Sequence, residues 1–259
     1  SKVWFANSGS EANDHMIKFV WYYNNGRGQP EKKKIIARHE GYHGIAISSG
    51  SLTGLPMMHK GFDLPIANIL HTGSHNYYRH GRPGESEEQF SSRLAEELEA
   101  LILEEGPETV AAFVAEPVMG AGGAIIPPRT YFEKIQTVLR KYDVLMVADE
   151  VITGFFRTGK RFGCETYGIE PDMIINAKQL SSAYMPISSV MMNEKVYSVI
   201  RDFATENSSL GTGFTYSGHP VAAAVALETL KIYDDTDMEA HVAKVSVHEI
   251  GRASCRERV

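Results

Sequence analysis

From position 144 to 148 five apolar residues, VLMVA, run without a break into Asp149. A strand with one face in water alternates polar and apolar side chains. A strand without alternation is buried on both faces, the habit of parallel sheets covered by helices. Residues 110–114 repeat the pattern and lead into Ala115-Glu116-Pro117-Val118. Shorter runs at 3–6, 34–38, 172–176 and 188–192 extend it. Between them, helical spacing marks 11–23, 131–142 and 221–233, and it is clearest at 89–105, where Phe90, Leu94, Leu98, Leu101 and Ile102 share one face. Residues 45–88 show no clean period and read as a long functional loop region. The expectation is an α/β domain with a mostly parallel sheet and helices on both faces.

The chemistry collects at the strand ends. Lys178 follows the 172–176 strand and precedes the turn-formers Ser181 and Ser182. Its amine is therefore aimed at the carboxyl edge of the sheet, where open α/β sheets hold ligands. A desolvated lysine amine can form a Schiff base with an aldehyde, and Lys178 is read as the residue that holds pyridoxal phosphate. Asp149 ends its own strand in the same way. A carboxylate there would keep a pyridine nitrogen protonated, although the Asp149-Glu150 pair also admits a metal site or a helix cap.

Residues 7–13, NSGSEAN, join a strand to a helix. Their small side chains let backbone N–H groups approach an anion at a helix start, though a plain serine cap fits as well. Tyr42 and His43 lie at another strand end, where Tyr42 can stack on a flat ring. His39 and His43 have no third ligand nearby, so no metal is expected. Glu116 could meet a substrate amine or pair with an arginine. In 211–220, GTGFTYSGHP, Thr215 suits a second phosphate contact through its hydroxyl and N–H, or the stretch is a helix-entry loop. Residues 154–160, GFFRTGK, imitate a nucleotide phosphate loop, but Arg161 stands where Ser or Thr must hold magnesium.

A net charge of -6 argues against a nucleic-acid partner. No apolar run approaches the roughly 18 residues of a membrane span. Two cysteines, Cys164 and Cys255, make no disulfide framework, so a reducing, cytoplasmic location is expected. Both ends read as cut. Residues 250–259, IGRASCRERV, have no period and read as a translated sequencing adapter, which would make Cys255 foreign and the chain an internal fragment.

In this order the motifs NSGSEAN (7–13), YHG (42–44), AEPV (115–118), ADEVITGF (148–155), NAKQLSSAY (176–184) and GFTYSGHP (213–220) resemble the class III, or ω-, aminotransferases of pyridoxal-phosphate fold type I. The resemblance implies a cofactor-binding large domain over 1–217, a helix over 218–249 leading toward a small domain, and a homodimer. It implies that Lys178 bonds the cofactor and Asp149 pairs with its ring nitrogen. Val151 would pack opposite Tyr42, with His43 in the same cofactor set, and Gly9 and Ser10 would bind the phosphate. Phe214 and Thr215 would bind the phosphate of the neighbouring subunit's cofactor, and Glu116 would tune substrate recognition. The implied reaction moves an amino group from an ω-amine, diamine or β-amino acid to a keto acid, with pyruvate expected. The same motifs serve aminomutases and decarboxylating aminotransferases, and an inactive cofactor-binding fragment is the remaining alternative; the expected transaminase is the longer parent, with this stretch inactive by itself. One departure is Phe156, where the family often has glycine, near the expected pocket entrance.

Overall fold

The computed structural model describes residues 2–246. Seven strands form one sheet: β1 (Lys2–Ala6), β2 (Lys34–Arg38), β3 (Ile69–Thr72), β4 (Val110–Ala115), β5 (Leu145–Asp149), β6 (Met173–Asn176) and β7 (Ser188–Met192). Their spatial order is β1-β7-β6-β5-β4-β2-β3. The five strands from β6 to β3 are parallel, and β7 runs antiparallel to both β6 and β1. β1 therefore points the same way as the parallel five. The C-terminal ends of β1, β2, β4, β5 and β6 all meet one edge, and that edge carries the site.

The helices are α1 (Gly9–Gly26), α2 (Ile47–Leu52), α3 (Tyr77–His80), α4 (Glu87–Glu105), α5 (Tyr131–Lys141), α6 (Gly163–Tyr167), α7 (Glu194–Glu206) and α8 (Pro220–Asp235). The apolar strands bury alternate residues on opposite faces. Ile35, Ala37, Leu145 and Val147 pack with Met16, Phe19 and Val20 of α1 and Val196 and Ile200 of α7. Ile36, Met146 and Ala148 pack with Phe90, Leu94 and Leu98 of α4 and Phe132, Ile135 and Leu139 of α5. The result is three layers, as the unbroken apolar runs require. Local signals begin the helices. Ser8 caps α1 by accepting the Glu11 N–H, and Glu11 returns the contact to the Asn7 backbone at 2.8 Å. Ser86 and Gln89 form a capping box at α4.

Two elements depart from expectation. The 45–88 region carries β3 as well as α2 and α3, because the edge of β2 is open and Ile69–Thr72 pairs with it in parallel. The helix α7, which was not among the expected elements, has Asn193 as its cap and buries Val196 and Ile200, with Tyr197 and Val199 half-buried beside them. Beyond α8, the expectation for 250–259 lies outside the described residues. No helix among the described residues is long and apolar enough to cross a membrane.

Candidate active site

Asp149 is the last residue of β5 and is 3% exposed. Its carboxylate is fixed by three donors. His43 Nδ1 reaches Oδ2 at 2.8 Å, Asn13 Nδ2 reaches the same oxygen at 3.0 Å, and the Val151 N–H reaches Oδ1 at 3.1 Å. A carboxylate only accepts, so His43 Nδ1 carries the hydrogen. β6 pairs beside β5, with Asp149 opposite Ile175. Two residues past the end of β6, Lys178 opens a short 3₁₀ turn over Lys178–Ser181. The acid and the amine thus leave adjacent strand tips on one edge. Lys178 sits at φ +39, a left-handed conformation that costs a non-glycine residue about 1–2 kcal/mol. Its side chain is exposed here, where the sequence led us to expect a desolvated amine.

One open pocket lies between these tips. Lys178, Asp149, Val151, Glu116, Tyr42, His43, Gly9 and Ser10 all line it. Phe214 and Thr215, expected to serve the neighbouring subunit's cofactor, do not line it. Both are exposed, and the Phe214 ring meets His15 edge-on at 4.8 Å.

Glu116 follows β4 and is buried. Its carboxylate accepts the N–H groups of Tyr42 and Gly120, each at 2.9 Å. It therefore ties the Tyr42 loop to the 116–120 turn. Arg38 does reach this residue, but through Nη2 to the backbone carbonyl at 2.6 Å, so the carboxylate has no guanidinium partner there. Burial pushes the Glu116 carboxyl up; His43 pulls it down, and the charge of Asp149 adds to the upward push.

Glu150, next to Asp149, points elsewhere. It is buried and accepts the N–H groups of Gly163 at 2.9 Å and Cys164 at 2.7 Å, so it caps the start of α6. Of the two readings left open for the pair besides the cofactor, a cap is what Glu150 forms. Cys164 is buried, and burial with the nearby Glu150 charge pushes its thiol well above the usual range. Among the described residues no group of three or more His, Cys, Asp or Glu side chains could hold a metal.

Three features went unnoticed in the sequence. Asn13 lies in the 7–13 motif one turn after Gly9, and that spacing is the signal that puts it on the same face of α1. Gly44 packs at φ +133 against Ser10. Lys178 also borders a second, more apolar cavity, lined by Phe155, Phe156 and Tyr233 among others. Phe156 faces that cavity, with its ring edge-on to Tyr233 at 5.9 Å.

A family model for class III aminotransferases matches residues 1–248. The chain belongs to the class III aminotransferases. A probable γ-aminobutyrate transaminase 2, mitochondrial, from Oryza sativa subsp. indica is 58% identical over 245 residues, which are 95% of this chain and 49% of the rice protein. A chloroplastic γ-aminobutyrate transaminase 3 from Solanum lycopersicum is 57% identical over 246 residues, 95% of this chain and 47% of the tomato protein. The crystal structure of the ω-transaminase from Pseudomonas jessenii in complex with PMP superposes with a TM-score of 0.91 at 59% identity, covering 92% of this chain and 52% of the other. The chain spans about half the length of the curated relatives it matches. The expected cytoplasmic location is not upheld: these relatives are named as mitochondrial or chloroplastic proteins. Cysteine content failed as a guide because it reports redox conditions, which those compartments share with the cytoplasm.

Class III aminotransferases use pyridoxal phosphate, and the pocket suits it on three counts. The N–H groups of Gly9 and Ser10, at the start of α1, have no acceptor among the described residues, which leaves donors for a phosphate. A Cβ at Gly9 would come within 3.3 Å of Val151, so glycine is what allows the chain to pass so close beneath the pocket floor. A carboxylate offers about four acceptor sites, and the three donors on Asp149 leave one for a ring N–H.

Proposed function

We propose that this pocket holds pyridoxal phosphate on Lys178, and that the protein moves an amino group from an ω-amine to a keto acid. The names of the rice and tomato relatives make γ-aminobutyrate the first donor to test, and pyruvate, the acceptor that the sequence resemblance implies, is the first acceptor. The observation that carries the reading is the convergence of Lys178 and Asp149, from neighbouring parallel strands, on one pocket.

When bound, the cofactor supplies an aldehyde that takes up amines and a pyridinium ring that draws electrons from the adjoining carbon. The chain supplies the rest. Asp149, aimed by His43, Asn13 and the Val151 N–H, holds the proton on the ring nitrogen. Tyr42 and Val151 bound the ring faces and keep water from them, and the Gly9 and Ser10 N–H groups anchor the phosphate. Lys178 Nζ, once free, takes the proton from the amine-bearing carbon of the donor and returns it nearby, as base and then acid. Glu116 sits on the substrate side, where its buried carboxyl discriminates among donor end groups.

Phe214 and Thr215, outside this pocket, serve the phosphate of a second subunit in a homodimer. The same proposal divides the chain into a cofactor domain over 1–217 and a passage over 218–249 toward a smaller domain, of which residues 247–249 lie outside the described residues.

The test is a titration with pyridoxal phosphate followed by an assay for alanine formed from γ-aminobutyrate and pyruvate. The full-length parent should gain visible absorbance and form alanine, and its Lys178→Ala form should do neither. Amino transfer that survives in Lys178→Ala removes the assignment. Product formed without any acceptor points instead to an aminomutase.

A further inference from the structure

We infer that Asn13 is a positioning residue that locks the phosphate-binding start of α1 to the acid that faces the cofactor ring. The inference rests on the cofactor reading above and extends it to a residue with no assigned role. Asn13 lies one turn after Gly9 on α1 and is 1% exposed. Its Nδ2 is 2.9 Å from the His43 carbonyl, 3.0 Å from Asp149 Oδ2 and 3.3 Å from the Gly9 carbonyl. An amide nitrogen has two hydrogens. The two short contacts use them, and the longer one to Gly9 is a shared third. A single side chain therefore joins the phosphate end of the pocket, the loop that carries Tyr42 and His43, and the ring-nitrogen acid.

The other side of the amide shows what the residue is for. Asn13 Oδ1 is buried and has no hydrogen-bond partner among the described residues. An unmet buried carbonyl is costly, and Ala12 and Met16 beside it are apolar core. An apolar side chain would pack at this position without that cost. Only the donors distinguish asparagine from such a residue, and both act on the pocket. Aspartate would keep the shape while losing both hydrogens, and it would set a second carboxylate against Asp149.

The test uses Asn13→Ala, Asn13→Ser and Asn13→Asp in the protein, with pyridoxal phosphate and phosphate-free pyridoxal as probes. Losing a hydrogen bond to a charged group should weaken pyridoxal phosphate binding by roughly tenfold or more in Asn13→Ala. Serine, which keeps one donor, should recover part of the loss, and aspartate should be the weakest. The advantage of pyridoxal phosphate over pyridoxal should shrink in step, because the phosphate end is no longer registered to the ring end. The pH midpoint of the bound cofactor's visible absorbance should also move. A residue that only packs would lower the melting temperature while leaving the probe ratio and the midpoint at wild-type values, and that result overturns the inference. If Asn13→Ala does not fold, the ranking of serine against aspartate decides. Failure of wild type to take up the cofactor would instead sink the functional reading.

Discussion

Gly44 tests whether the phosphate end of the pocket depends on a close backbone approach. Its φ of +133 is a conformation L side chains rarely adopt. A Cβ there would lie 2.6 Å from Ser10 Oγ, 2.8 Å from Ser49 Oγ and 2.9 Å from Ser10 Cα. The last of these is backbone in the first turn of α1 and cannot swing away, so Gly44→Ala must push the loop off the helix start. Strain in such a region costs of order 1–3 kcal/mol, and forced overpacking typically adds 1–3 kcal/mol. The expected loss is about 2–6 kcal/mol, a large share of the roughly 5–15 kcal/mol that holds a typical domain folded. Gly28 supplies the control. It also has positive φ, +71, but a Cβ there meets nothing within 4 Å. Gly28→Ala should therefore cost only the left-handed penalty, about 1–2 kcal/mol. Urea unfolding of both variants with unchanged m isolates the approach term, and a pyridoxal phosphate titration should show weakened binding in Gly44→Ala alone. Equal stability losses in the two variants, or unaltered cofactor binding in Gly44→Ala, would refute the reasoning.

Glu150→Ala leaves the Gly163 and Cys164 N–H groups and the Thr153 hydroxyl without their acceptor. At about 1–3 kcal/mol for each buried unmet group, the urea midpoint should drop by the equivalent of roughly 3 kcal/mol or more. Glu116→Gln should change how stability depends on pH. Burial raises the folded carboxyl above its ordinary 4.5, so the folded state holds this proton more tightly than the unfolded chain does. That contribution is fully present below pH 4.5 and is lost as pH rises through the raised value. The stability of wild type minus that of Glu116→Gln should therefore fall as pH rises, and a difference that grows would contradict the assignment. Phe156→Gly relieves a positive φ of +71 but removes a ring that is 7% exposed. Relief of about 1 kcal/mol against a lost burial of about 3 kcal/mol or more predicts a net loss near 2 kcal/mol, read by urea unfolding.

The strands that hold the site were the most legible part of the sequence. β4 and β5 are buried at every position, so their unbroken apolar runs had one explanation. Lys178 and Asp149 followed, because strand ends are where open sheets place ligand groups. What stayed hidden depends on partners far along the chain. β3 is four residues long, includes His71, and exists because β2 offers an edge to pair with. Asn13 looks like any polar helix residue until folding brings up its acceptors at 43 and 149, which lie 30 and 136 positions away. Glu116 lines the pocket, but the nearby arginine that could have paired with its carboxylate, Arg38, reaches its backbone carbonyl instead.

The two ends of the pocket differ in a way the proposed chemistry needs. Asp149 lies inside its strand, is nearly sealed from solvent and is held by three donors. An acid that supports a ring nitrogen throughout a reaction gains nothing from mobility. Lys178 must let go, move a proton and return, and it sits outside its strand on an exposed turn. That turn is steadied from behind by α8. Ala222 and Ala226 pack on Leu180, and the Tyr233 hydroxyl donates to the Gln179 carbonyl at 2.8 Å. Disturbing α8 should therefore reach the amine before the acid. A change such as Tyr233→Phe would be felt in proton transfer at Lys178, whereas cofactor retention, governed by the opposite end, would follow Asn13, Gly44 and Asp149.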